Sequence, residues 1–266
     1  MKTLWDRTRF RLRPGSGELP ASNSFSSRRE ELLHNIGSIG ELRVDPVDLP
    51  GCGTPIQIAH TADFDRLLGN SVYDFDTDYM PYWAEIWPCG VVLAGFIARE
   101  PDVFQGRRVL ELGPGVGVTA VAAMRAGADL VIADYAPGSL ALSSLNALDQ
   151  VGTEPTTLLL NWREPSAELF AEAGDGFSVV LAADVLYEEE DVKPLARLLK
   201  RLVAPHGEVW IAEPGREVAK DLIELLHLRG WHGTSEECVS PRPDPNYPDD
   251  PEFKVITVHR LRRPGK

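Results

Sequence analysis

The stretch RRVLELGPGVGVTAVAAMRAGADLVIADY occupies residues 107–135 and decides the fold of this chain. RRVLEL is a short apolar run of strand character, and VTAVAAMRAG reads as a helix whose end is marked by Gly127. DLVIAD reads as a second strand. Between the first strand and the helix lies Glu111–Leu112–Gly113–Pro114–Gly115–Val116–Gly117. Glycines there let the backbone approach a ligand closely and take dihedrals that a Cβ would forbid. A ligand at such a turn sits outside the carboxyl end of a central strand, where open α/β sheets put their sites.

The spacing of the glycines narrows the ligand. A dinucleotide fingerprint, G-x-G-x-x-G, would need glycine where this chain has Val118, and no Walker-type lysine follows the turn. The pattern is G-x-G-x-G, led by Glu111, so a pyrophosphate is disfavoured. The second strand ends in Asp134, placed to accept hydrogen bonds from the 2′,3′-diol of a ribose. An acid for a ribose, beside a turn with no call for phosphate, points to a nucleoside ligand without phosphate, and S-adenosylmethionine fits that description. The plainer alternative is a turn that only packs, with Asp134 capping the next helix.

Outward from this unit the pattern continues. CGVVLAGFIARE (89–100) looks helical and is closed by Pro101; SLALSSLNALDQVG is a helix ending at Gly152, and TTLLL is a third strand. FSVVLAAD is a fourth strand, apolar enough to be buried on both faces. EDVKPLARLLKRLVAPHG is a helix, GEVWIAE a fifth strand and REVAKDLIELLHLRG another helix. WHGTSEECV, the loop SPRPDPNYPDDPE and the alternating FKVITVHRL close the chain. Strands alternating with helices imply a parallel sheet covered on both faces, and two final strands with no helix between them imply an antiparallel hairpin at one edge. The expected fold class is α/β: a Rossmann-like, doubly wound, seven-stranded sheet, mostly parallel with an antiparallel C-terminal hairpin.

Before residue 81 the signals are weaker. Residues 1–43 carry eight Lys/Arg against five Asp/Glu and read as a flexible basic segment, whereas the whole chain of 266 residues has a formal net charge of −13. Within it, PGSGELPASNSFSSRRE (14–30) has no apolar period and TRFRLR reads as an edge strand or an unstructured tail. Residues 44–80 read as a lead-in of strands and turns, and 81–266 as the main domain. The acidic balance argues against nucleic acid as a partner and suits a basic protein or a small molecule. The longest apolar run, VVLAGFIA (91–98), is far too short to span a bilayer. Three scattered cysteines and six histidines without ligand spacing give no disulfide framework and no metal site, and with no secretory signal the expectation is a cytoplasmic monomer.

Five motifs in order make the chain resemble a class I, seven-β-strand S-adenosylmethionine-dependent methyltransferase over roughly residues 75–262. They are PYWAEIWPCG (81–90), the acid-led ELGPGVG turn, IADY after the second strand, Asn161–Trp162 after the third, and DVLYEEE from Asp184 after the fourth. The local match is to the protein-lysine methyltransferase branch that includes the enzyme acting on the electron-transfer flavoprotein β subunit. The resemblance implies cofactor contacts from Trp87, Glu111, Gly113, Gly115, Asp134, Trp162 and Ala183, with Asp184 and Tyr187 as catalytic residues facing the acceptor. It implies S-adenosyl-L-methionine as cofactor and a lysine-bearing protein as partner. One departure is the lead-in, some 40 residues longer than the compact one of many members, which leaves the substrate open. A small-molecule methyltransferase, or a non-catalytic cofactor-binding protein of this fold, are the alternatives.

Methyl transfer from a sulfonium is an in-line displacement, so most of the catalysis is positioning and electrostatics. An amine acceptor must lose its proton first, because an ammonium has no lone pair. Asp184 would orient the amine, Tyr187 would close over it, and Glu188, Glu189 and Glu190 either extend an acidic rim or favour the N-terminus of the next helix through its dipole. Trp83 stands four residues before Trp87 and is either a site residue or core. The acids of the last loop, Asp244, Asp249, Asp250 and Glu252, belong to a partner-binding rim or a solvated loop.

Overall fold

The computed structural model describes residues 22–36, 39–64, 66, 81–241 and 254–265. Strands β3 (Arg108–Leu112), β4 (Asp129–Asp134), β5 (Thr156–Leu159), β6 (Phe177–Ala183), β7 (Val203–Glu213), β8 (His232–Val239) and β9 (Val255–Arg262) form one sheet in the order β5-β4-β3-β6-β7-β9-β8. The five strands β3 to β7 run parallel to one another; β9 is antiparallel to both β7 and β8. The expected C-terminal hairpin therefore exists, with its second strand inserted between β7 and the edge strand β8.

Alternation along the strands explains the two-faced covering. Val109, Ile132, Val179 and Leu181 face one buried cluster, shared with α2 (Pro88–Arg99), α3 (Val118–Arg125) and α4 (Pro137–Val151). Their neighbours Leu110, Val131, Val180 and Ala182 face the other, shared with α5 (Ala167–Ala173), α6 (Glu189–Leu202) and α7 (Glu217–Leu228). Pro137 opens α4 and Gly152, at φ 83°, ends it in the left-handed conformation. No helix among the described residues is long and apolar enough to cross a membrane.

The segment expected to be flexible at 14–30 differs in its second half. Ser22–Ile36 is a helix, α1, lying on α4. Leu32 and Ile36 are buried, and Arg28 pairs bidentately with Glu154 at 2.7 and 2.8 Å while Arg29 pairs with Asp149 at 3.0 Å. Tertiary contacts, not local periodicity, make this helix. Strands β1 (Leu42–Val47) and β2 (Ile56–Thr61) form a separate antiparallel pair, and β2 packs on α4. Pro46 is tolerated because β1 has a partner on one side only. The TRFRLR stretch and the acids of the last loop lie outside the described residues. β7 starts at Val203, four residues earlier than GEVWIAE suggested, and α5 had no counterpart in the sequence reading.

Candidate active site

The register brings the expected site residues to one edge of the sheet. Leu112 is opposite Ala133 and Ala182, Asp134 is opposite Leu159, and Ala183 is opposite Ala212. Gly113, Asp134, Asn161 and Asp184 thus follow the carboxyl ends of adjacent parallel strands, where an open α/β sheet leaves a crevice.

The turn after β3 is left-handed at Gly113 (φ 65°) and Gly115 (φ 57°). A Cβ on Gly113 would stand 2.9 Å from Cγ1 of Val185, and one on Gly115 would stand 3.5 Å from the Trp83 carbonyl oxygen. The positive φ favours glycine at both positions, and at Gly113 the closeness of Val185 adds to it, whereas at Gly115 a Cβ would make only an ordinary contact. Glu111 is 1% exposed, and its Oε2 has no hydrogen-bond partner among the described residues. Burial pushes its carboxyl up to about 8, with the nearby Asp134 adding to the rise. An orphaned buried carboxylate oxygen is costly unless something supplies a donor or a positive charge.

Asp134 is also buried, and its carboxyl is raised to about 6 by desolvation. Oδ1 accepts from the Ala136 amide at 2.9 Å and Oδ2 from the Ser139 hydroxyl at 2.7 Å. These bonds orient the carboxylate at the head of α4. Each oxygen keeps a lone pair for a further donor, so capping and ribose binding are compatible rather than alternatives.

The PYWAEIWPCG stretch divides into a 3₁₀ turn, Tyr82–Ala84, and the start of α2, so Trp83 and Trp87 are not one helical face. Trp83 is partly buried and packs against the first core cluster: its ring lies against Gly138, where a Cβ would come within 2.4 Å. Trp87 precedes α2 and donates its indole N–H to the Tyr82 carbonyl at 2.6 Å. Its ring meets those of Tyr82 and Phe64 edge-on, each at 5.9 Å, and Tyr82 stacks on Tyr187 at 6.3 Å. Trp162 is partly buried against the second core cluster, beyond the end of β5.

Asp184 follows β6 with φ 49°, an uncommon conformation for a residue with a side chain. Its amide donates to the Ala212 carbonyl at 2.9 Å, and its carboxylate accepts from Arg216 Nε at 2.6 Å and Nη2 at 2.9 Å. The Arg216 guanidinium lies over the Tyr187 ring, 5.1 Å from its centroid. Desolvation and the Asp184 carboxylate push the Tyr187 hydroxyl up, although the residue as a whole remains 50% exposed. Glu188 precedes α6 and Glu189, Glu190 and Asp191 fill its first turn, with Arg163 bridging to Glu190 and Asp191. Glu189 and Glu190 are thus where the helix dipole favours acids.

Sequence reading missed Arg216, Phe64 and Tyr82. Of these only Tyr82 carried a signal, since it stands within the PYWAEIWPCG stretch. The residues present fit an adenosyl sulfonium amino acid: a buried orphaned carboxylate, a glycine turn open to close approach, and an oriented acid at the next strand end. No group of three or more His, Cys, Asp or Glu among the described residues could hold a metal ion.

A family model described as lysine methyltransferase matches residues 82–226. The electron transfer flavoprotein beta subunit lysine methyltransferase of Danio rerio is 33% identical over 166 residues, which are 59% of this chain and 61% of that protein. Its Xenopus laevis counterpart is 33% identical over 156 residues, 56% of this chain and 58% of that one. The alignments thus span about six-tenths of these curated relatives. Among solved structures, the crystal structure of the 4+2 cyclase SpnF matches with a TM-score of 0.50 at 15% identity, covering 65% of this chain and 80% of that one. A likeness this distant speaks for the fold and not for the reaction.

Proposed function

We propose, for a chain that belongs to the lysine methyltransferase family, that it transfers a methyl group from S-adenosylmethionine to the side-chain amine of a protein lysine. The observation that carries the reading is the row of Glu111, Gly113, Asp134 and Asp184 at successive strand ends, with Oε2 of Glu111 buried and unpartnered. Glu111 and the glycine turn would hold the amino-acid portion, Asp134 the ribose, Trp162 the adenine side and Trp87 with Ala183 the border. The cofactor supplies a methyl group on a sulfonium, which leaves as a neutral thioether once an amine lone pair takes the carbon.

The chain's own residues do the rest. Asp184 accepts a hydrogen bond from the amine and fixes its direction, and the Tyr187 ring forms a wall for its alkyl stem. An acceptor on a protein surface needs an open approach, and Tyr187 with Glu188–Glu190 is exposed. That openness argues against a closed small-molecule pocket. The formal charge of −13 favours a basic, lysine-bearing partner, and the names of the relatives support a protein acceptor. The reading keeps the expectation of a cytoplasmic monomer.

The test is calorimetry followed by labelling. S-adenosylhomocysteine binds and NAD does not. With methyl-labelled cofactor, the purified chain labels a protein band in a lysate not previously methylated, and D184N labels it far less. Labelling confined to the small-molecule fraction would refute a protein acceptor.

A further inference from the structure

Asp184 does not present a free negative charge to the crevice. Both of its oxygens are taken by Arg216, which is fixed from three sides. Its guanidinium forms the bidentate pair with Asp184 at 2.6 and 2.9 Å and lies over the Tyr187 ring, and its backbone N–H donates to Glu213 Oε2 at 3.1 Å. Glu213 also accepts from the Gly215 amide and stands 3.5 Å from Nε2 of His259 on β9. Bidentate arginine–carboxylate pairs are strong and directional, so this arrangement holds its geometry. Arg216 lies on the loop between β7 and α7, and neither composition nor the motif DVLY gives it a role.

A lysine amine in water has a pKa near 10.4 and is almost wholly ammonium at neutral pH. A carboxylate without a counter-charge would hold it in that form, since an opposite charge within about 4–6 Å stabilises the ionised state. The ammonium cannot attack. We propose that Arg216 is a positioning residue that balances the charge of Asp184, so that the acceptor lysine is held at the site as the free amine. The inference rests on the lysine-acceptor reading of the site.

With Arg216 in place, the Asp184 oxygens still have lone pairs to accept a hydrogen bond from a neutral amine, while their charge is cancelled. The lysine proton leaves to solvent. The amine lone pair then forms the N–C bond as the C–S pair returns to sulphur, and the positive charge passes to nitrogen. Around the Asp184–Arg216 pair, Tyr187 and Cys89 act on Arg216 directly and Glu213 accepts from its backbone N–H, while Tyr135 and His259 stand one contact further off, beside Tyr187 and Glu213. Of this set with Arg216, only the guanidinium is a permanent cation.

The experiment is the initial rate of methyl transfer to the lysate protein that the wild type labels, measured from about pH 6.5 to about pH 10, for the wild type, R216Q, R216K and D184N. Affinity for S-adenosylhomocysteine is measured alongside to show that each variant is folded. R216Q leaves the Asp184 charge unbalanced and moves the rising limb of the profile up by about one pH unit or more. R216K keeps the limb of the wild type. D184N leaves Arg216 unbalanced and moves the limb of its residual activity down. A folded R216Q that is inactive while R216K is active also supports the proposal.

A wild-type profile in R216Q, or loss of activity in both Arg216 variants with cofactor-product affinity intact, overturns it. Should R216Q fail to fold, the direction of the D184N shift decides. If the wild type labels no protein lysine, it is the lysine-acceptor reading that fails, before the variants are compared.

Discussion

The side chain of Asn146 on α4 donates to the Val116 carbonyl of the glycine turn at 2.7 Å, and with the same amide group to the Ala59 carbonyl at 2.8 Å. Its Oδ1 accepts from the Ala59 amide at 2.7 Å. One buried residue thus ties the turn to strand β2, which lies outside the stretch matched by the family model. The lead-in is thereby fastened to the glycine turn.

N146D tests that coupling. Aspartate keeps the acceptor for Ala59 but sets a carboxylate against two carbonyls that had donors, leaving buried polar groups unpaired at about 1–3 kcal/mol each. Affinity for S-adenosylhomocysteine falls by about tenfold or more, and the amides of Gly113 and of residues 115–118 exchange hydrogen faster in the free protein. Unchanged affinity and unchanged exchange would mean that the turn is held without the lead-in.

Glu111 makes the free protein sensitive to pH. Its folded carboxyl is raised to about 8 from an ordinary value of 4.5. Between those values the folded state binds a proton that the unfolded state has released, so the stability from this group is complete below about pH 4.5 and lost as pH rises through about 8. The thermal midpoint of the wild type should fall relative to E111Q over that window. At pH 7, a ligand bringing an ammonium to Oε2 should release a proton on binding, seen by calorimetry in buffers of different ionisation heat. Equal proton release in E111Q would remove Glu111 from the cofactor site.

In the proposed site Asp134 holds the ribose through its two oriented oxygens. D134N should weaken S-adenosylhomocysteine binding by about tenfold or more, the scale of a hydrogen bond to a charged group. It should weaken a 2′-deoxy analogue much less, because the interaction lost is the one with the diol. Equal losses for both ligands would leave Asp134 as a helix cap alone.

Gly113→Ala brings two costs together. The left-handed conformation at φ 65° costs an alanine roughly 1–2 kcal/mol. The added methyl would also meet Val185, next to Asp184, at 2.9 Å. Both the thermal midpoint and the affinity for S-adenosylhomocysteine should drop. A variant of unchanged stability and affinity would show that the turn yields freely.

The parts of the fold legible in the sequence are those with local causes. Strands β3 to β7 show as apolar runs, α3, α4 and α7 are closed by Gly127, Gly152 and Gly230, and the turn at 111–117 carries its own glycine spacing. α1 was not legible, because a Ser- and Arg-rich segment becomes helical through Glu154, Asp149 and the burial of Leu32 and Ile36 on α4. Seven residues gave α5 too little length for a period. The insertion of β9 between β7 and β8 is a pairing between distant segments and leaves no local mark. The same holds within the site, where Asp184 was readable from its motif and its partner, 32 residues on, was not.

The central claim is transfer to a lysine amine, and the labelled amino acid itself decides it. After incubation of the purified chain with methyl-labelled S-adenosylmethionine and an unmethylated lysate, the labelled protein is hydrolysed and its amino acids are separated. The account predicts the label in Nε-methylated lysine, and its near absence with D184N. Label in methylarginine, or in the small-molecule fraction with none in protein, would contradict it.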